Sequence, residues 1–285
     1  MRKLSFIQLG DSLKMRVMIT AFAGLAAAGI GKPVYAESLT VGAPHTVRAA
    51  FEEIVPIFER EYGAAVNILY RPSKTLLHQI ETGAPIDVFL FAGIEKVEHL
   101  SKKRLTLNGY PRLFAQTSLV LVLPADSPAM LLSLTQALSN HTTRIALGDP
   151  ETSYLGEVTA REMIKRYPTY KRHSHLIYAS HSEEILTLIR TGKADVGVVY
   201  RANLINTGYV RISDEAPVGP DVSIQFGQAV VSNCRTAVRV IAEQFSDFLM
   251  TPRIQGLLVK HGFDPPSSSH REYAGRQKRS SEVVP

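Results

Sequence analysis

Between residues 38 and 263 the chain alternates short strand-like runs with amphipathic helix-like stretches, an order that few folds accept. Residues 38–42 and 66–70 read as strands. Between them Val47, Ala50, Phe51, Ile54 and Phe58 fall on one helical face of 46–62, which Gly63 stops. Residues 73–82 read as a helix capped by Ser73 and ended by Gly83. The runs 88–92, 118–124, 144–148, 175–178, 196–200 and 226–232 read as strands. The spacing predicts further helices over 156–167, 182–191, 236–250 and 251–261, the last with Pro252 near its first position. Strands that alternate with helices predict an α/β fold of mainly parallel sheets covered on both faces. The body is long for one sheet, so two α/β lobes are expected, 37–122 with 224–264 forming the first and 123–223 the second.

The two ends are of another kind. Residues 17–31 are an unbroken apolar run preceded by Lys14 and Arg16 and followed by Val34-Tyr35-Ala36, the layout of a secretory signal peptide over 1–36 with cleavage after Ala36. The run is short for a membrane span, which needs about 20 residues. Translation from Met1 or from Met15 leaves this signal complete. The mature chain is thus expected in a periplasm or outside the cell. Residues 265–285 are polar, serine-rich and unpatterned, and read as a disordered tail.

The net charge of +6 belongs to these ends, because bases and acids balance over 37–264. A neutral body argues against a nucleic-acid partner, which would call for a basic face. A single cysteine, Cys234, excludes an internal disulfide framework and a cysteine-built metal site. Gly10-Asp11-Ser12-Leu13 spells a serine-hydrolase tetrapeptide, but it lies ahead of the apolar run and no Asp-x-x-His follows late in the chain to supply a base.

In an open α/β fold, ligands bind where strands hand over to helices, and the unpaired N–H groups of a helix start favour an anion. Four such junctions stand out: 42–46, 71–75, 148–156 and 179–182. Ser73, Thr46 and Ser182 also suit ordinary helix capping. Tyr200 closes a buried strand and can aim its hydroxyl at the same cleft. His45 and His181 read as loop histidines, and Lys74 is a cation in a first helical turn, where the helix dipole opposes it unless an anion is near.

The stretch Gln79-Ile80-Glu81-Thr82-Gly83-Ala84-Pro85-Ile86-Asp87-Val88-Phe89 is followed in order by Gly148-Asp149-Pro150, Gly197-Val198-Val199-Tyr200 and Gly262-Phe263. In this series the chain resembles the periplasmic molybdate-binding proteins of ABC transporters over about residues 39–263. The resemblance implies two hinged lobes of the type II periplasmic-binding-protein kind. They close on one tetrahedral oxyanion held by hydroxyls and backbone N–H groups, with no metal ligated by protein atoms and no cofactor. It places ligand contacts on Ser73, Leu155, Ser182 and Tyr200; in this chain Thr46 or His45 is the substitute donor in the first loop, and Arg71, Lys74 and His181 flank the pocket with charge. It implies a monomer that hands molybdate or tungstate to a permease and, through it, to an ATPase.

The departures gather at the ligand. Pro44 stands where the family has its first serine, which removes a hydroxyl and an N–H together. Ser153-Tyr154-Leu155-Gly156 replaces a stretch of smaller residues, Ser182 replaces an apolar residue, and Asn203-Leu204 replaces Asp-Ala. A different small anion, a sensor read by a membrane receptor, and an enzyme on the same fold are the competing readings. The last has no base beside a nucleophile in its favour.

Overall fold

The computed structural model describes residues 36–107, 111–128, 132–219 and 222–266. The export signal, the tetrapeptide at 10–13 and the tail beyond 266 lie outside the described residues. Among the described residues there are nine strands: β1 (Ala36–Ala43), β2 (Ala64–Tyr70), β3 (Val88–Ala92), β4 (Arg112–Pro124), β5 (Ile145–Gly148), β6 (Leu176–Ala179), β7 (Val196–Tyr200), β8 (Val210–Asp214) and β9 (Ser223–Val230). The helices are α1 (Arg48–Tyr62), α2 (Ser73–Glu81), α3 (Ile94–Lys102), α4 (Leu134–Ser139), α5 (Tyr154–Arg166), α6 (Ser182–Arg190), α7 (Arg239–Phe248) and α8 (Pro252–Lys260). No described helix is long and apolar enough to cross a membrane.

The strands run in the order β2-β1-β3-β9-β4-β7-β5-β6, with β8 also on β4. The expected parallel pairing is found toward both ends, where β1 lies between β2 and β3, and β5 between β6 and β7. The middle is antiparallel. There β9 pairs β3 and the first part of β4, while the second part of β4 pairs β7 and β8. The change of partner falls between Ser118, opposite Ser223, and Leu119, opposite Tyr200. The chain therefore crosses from one half of the sheet to the other inside β4 and returns between β8 and β9.

Every residue of β3, β5 and β7 is buried, so helices cover both faces there. Under β1 and β9, α1 and α7 meet through aromatic rings: Phe58 packs edge-on to Phe245 at 5.0 Å and beside Phe248 at 5.2 Å. Thr251 precedes α8 and Pro252 opens it, as the sequence suggests. Two expected helices are shorter than their patterns. His45–Val47 is a 3-10 turn before α1, and Thr236–Val238 another before α7.

Candidate functional site

The four strand-to-helix junctions lie on both halves of the sheet, and the fold sets them against one another. On the first half are the β1–α1 and β2–α2 junctions; on the second are β5–α5 and β6–α6. Lys74, second residue of α2, donates to the Pro150 carbonyl at 2.8 Å and stands 3.8 Å from the Glu157 carboxylate of α5. Lys96 of α3 reaches the same Glu157 at 2.6 Å. His45, in the turn after β1, stacks on His181 at the start of α6, with ring centroids 4.0 Å apart and planes 14° apart. Tyr154, first residue of α5, packs on Phe91 of β3 and so closely over Gly93 that a Cβ there would lie 2.4 Å from its ring.

Ordinary capping does not account for the hydroxyls. Pro72, not Ser73, precedes α2, and the buried Ser73 is that helix's first residue. His181, not Ser182, caps α6, its Nδ1 accepting from the Glu184 N–H at 3.3 Å. Ser182 is buried and its Oγ accepts from the Tyr200 N–H at 3.3 Å, which ties the helix start to the end of β7. Thr46 is buried inside the 3-10 turn rather than ahead of a helix. The physical reason is common to all three. Pro44, Pro72 and His181 are in an extended conformation and take the cap positions, leaving Thr46 second in its turn and Ser73 and Ser182 first in their helices. At such positions a residue's N–H has no acceptor within its own helix.

The third junction behaves differently. Ser153 does cap α5, accepting from the Gly156 N–H at 3.0 Å, so that helix begins two residues before the expected Gly156. Leu155, buried, falls in its first turn. Gly148 and Gly156 are in backbone contact, since a Cβ on Gly156 would meet the Asp149 carbonyl oxygen at 2.4 Å. No larger residue fits this turn of the Gly-Asp-Pro loop.

Electrostatics divide the remaining candidates. Burial, then the neighbouring His181, Arg48 and Arg71, lowers the His45 pKa to about 4; burial also lowers His181. Neither is a loop histidine in open water: the His45 side chain is 15% exposed and His181 is half-buried. Tyr200 is buried beside Phe226, and burial, with Tyr154, Glu95 and Glu157 nearby, pushes its hydroxyl well above the usual range. It is a neutral donor at any physiological pH. Of the charged flank, Lys74 is engaged by Pro150 and Glu157, and the exposed Arg71 donates to the Tyr70 carbonyl at 2.8 Å.

Four residues of this arrangement escape a reading of the sequence: Glu157, Lys96, Glu183 and Arg48. Glu183 lies 3.9 Å from His45 Nδ1, and Arg48 donates to that nitrogen at 2.9 Å while its guanidinium sits 4.7 Å from the Tyr70 ring centre. The local signal for Glu157 and Glu183 was their place in a first helical turn beside a named junction, whereas Lys96 stands in α3, which no named junction precedes. Their partners lie on the other half of the sheet and leave no trace in sequence spacing.

Comparison with known proteins agrees with this geometry. Residues 39–264 match the family described as bacterial extracellular solute-binding protein. The molybdate-binding protein ModA of Escherichia coli is 27% identical over 249 residues, covering 85% of this chain and 93% of that one. ModA of Mycobacterium bovis is 26% identical over 257 residues, covering 86% and 94%. Among solved structures, the periplasmic molybdate-binding protein of Azotobacter vinelandii aligns with a TM-score of 0.68 at 20% identity, covering 81% of this chain and 100% of that one. The sulfate-binding protein SubI of Mycobacterium tuberculosis aligns at 0.69 and 18%, covering 81% and 88%. These two structures share the fold. With the junctions of both sheet halves gathered at one cleft and a family match that spans nearly the whole described body, the chain belongs to the bacterial extracellular solute-binding proteins.

Proposed function

We propose that this protein captures a tetrahedral oxyanion between the two halves of its sheet and delivers it to an ABC importer, with molybdate and tungstate as the first candidates. The observation that carries the reading is that Ser73 and Ser182 are buried at the first positions of α2 and α6 yet cap neither helix. Their helix starts keep N–H groups for a ligand, and Leu155 adds another from α5. Tyr200, neutral and at the end of β7, is the further donor, and Thr46 and His45 complete the set from the turn after β1. Several dipoles and charge-assisted hydrogen bonds hold a dianion without a buried cation, each worth about 1.5–3 kcal/mol. Arg71, Lys74 and His181 flank this cradle.

In this reading the halves are hinged lobes, 37–122 with 224–264 and 123–223, moving about the partner change in β4 and the β8–β9 link. The contacts across the cleft belong to the closed form, which the permease and its ATPase read. The signal peptide is cleaved after Ala36, and the mature chain works as an exported monomer without a cofactor. Relatives named for molybdate over almost their full length point to that anion. Pro44 and Tyr154 give the second reading, a different small anion, its substance. Pro44 has no N–H and spends its carbonyl on Val47 N–H at 3.3 Å, so one donor pair of the family pattern is missing. An anion of the wrong size leaves buried donors unpaired, at about 1–3 kcal/mol each.

The test is a thermal-shift and calorimetric panel of molybdate, tungstate, sulfate, phosphate and thiosulfate at equal ionic strength. A ligand at a hundred times its Kd adds about 2.7 kcal/mol of stability. A shift with molybdate and tungstate alone, lost in Ser73→Ala, is expected. A shift with another anion selects the second reading, and no shift with any anion ends both.

A further inference from the structure

The histidine stack at the mouth of the cleft has a chemistry of its own. His45 belongs to the turn after β1, whereas His181 and Glu183 belong to the start of α6, so the group is assembled from both halves of the sheet. One ligand atom from each of the three lies within 4.8 Å of the other two. Two imidazoles and one carboxylate are a donor set that zinc, nickel and copper accept, whereas magnesium and calcium prefer oxygen alone. We infer that His45, His181 and Glu183 form a site for a divalent first-row transition metal ion that ties the β1–α1 turn to the start of α6.

The surroundings fit that role. Without an ion both Nδ1 atoms accept hydrogen bonds, His45's from Arg48 and His181's from the Glu184 N–H, so each imidazole turns a nitrogen to the ion at the expense of that bond. Zinc ligands stand about 2.0–2.2 Å from the ion, so the three atoms draw inward by about 1 Å, within reach of side-chain rotation. Arg48 has to leave His45 Nδ1, and the Tyr70 face on which it already lies is where its charge is received. Its presence weakens the site without abolishing it. Glu183 also lines an open cavity of about 470 Å³ bordered by Leu186, Arg190, Asn203 and Tyr209, through which a hydrated ion can reach its carboxylate. Because the ligands come from both halves, the ion binds the closed arrangement and stabilises it.

The test is a zinc titration of the intact chain, metal-stripped, carrying no histidine tag and with no oxyanion present, so that it stands apart from the anion panel. One ion per chain is expected. His45→Ala and His181→Ala should each weaken binding at least tenfold, and His175→Ala, in the separate His173 and His175 group, should leave it unchanged. Copper bound to the unsubstituted chain should show two imidazole nitrogens in its electron paramagnetic resonance spectrum, a readout that needs no variant to fold. Absence of zinc binding, binding that survives both substitutions, or a copper spectrum with fewer than two imidazole nitrogens would overturn the proposal.

Discussion

Asp87 carries more of the structure than its neighbours suggest. It is almost fully buried between β1 and the turn after β9, where Oδ2 accepts from the Thr40 N–H at 2.8 Å and from the Arg235 guanidinium at 2.7 Å. Burial alone would raise its pKa, but Arg235 and the Thr40 N–H outweigh it and hold the carboxyl below its ordinary range. A pKa lower in the folded than in the unfolded chain stabilises the fold fully above the ordinary carboxylate value, about 4. The contribution then drains away as pH falls through that value toward the native one. Asp87→Ala is expected to cost about 2–3 kcal/mol at pH 7, roughly 8 °C in Tm. The gap between parent and variant should narrow as melting is followed downward through the ordinary carboxylate range. A gap of constant size would mean that the pair is not held by charge. In the sequence Asp87 is one letter of the stretch from Gln79 to Phe89, and its role was illegible there because Arg235 is 148 positions away. Ser73 and Ser182 were named from sequence as ligand groups and as caps alike. Only the backbone of Pro72 and His181 shows that capping is not their work.

Elements that are continuous apolar runs, β3 and β7, have the bounds that the sequence suggests, because burial on both faces leaves no polar position to blur them. The first part of β4 was missed for the opposite reason. Arg112–Thr117 mixes exposed and buried positions, and only its pairing with β9 makes it a strand. β8 is half-exposed and carries Arg211 and Asp214 among its five residues, and α3 is short and polar, so neither stands out. Yet α3 matters to the site through the residue that opens it. Gly93 has φ 93° and lies under the Tyr154 ring, so α3 and α5 touch only because no side chain intervenes. Gly93→Ala should lower anion affinity at least tenfold by holding the ring off, besides a backbone cost of about 1 kcal/mol. In a Tyr154→Ala background the same change should cost affinity little, because the obstructing ring is gone. Calorimetric affinities of the four proteins give the coupling. Equal losses in both backgrounds would show that Gly93 acts through its own backbone and not through Tyr154.

The sheet as a whole is one surface with a change of partner in its longest strand, and the halves on either side of that change meet again at the cleft. Alternation of strands and helices made the α/β body legible, and a family pattern made the junctions legible, whereas the body's length pointed to more than the one continuous sheet that it forms. The contacts that join the halves were not legible, since Lys74 and Pro150 are 76 positions apart and Lys96 and Glu157 are 61 apart. Glu157 is the hub of these contacts, facing Lys74 and Lys96 of the other half while each of the three keeps part of its side chain in water. Partly exposed pairs are worth at most about 1 kcal/mol each, too little to fix the halves together and enough to bias an equilibrium between open and closed forms. Glu157→Ala is therefore expected to leave Tm within a few degrees while weakening anion binding roughly fivefold. It should also raise the radius of gyration of the ligand-free chain in solution scattering. Raised salt should act on the parent in the same direction, because these charges are only partly shielded from it. Glu53→Ala, which removes the carboxylate that Lys260 and His261 hold at 2.8 and 3.0 Å within the first half alone, serves as the control. It should change neither affinity nor radius. If Glu157→Ala scatters and binds like the parent, closure does not depend on the lysine bridge and rests instead on the histidine stack and the Tyr154 packing.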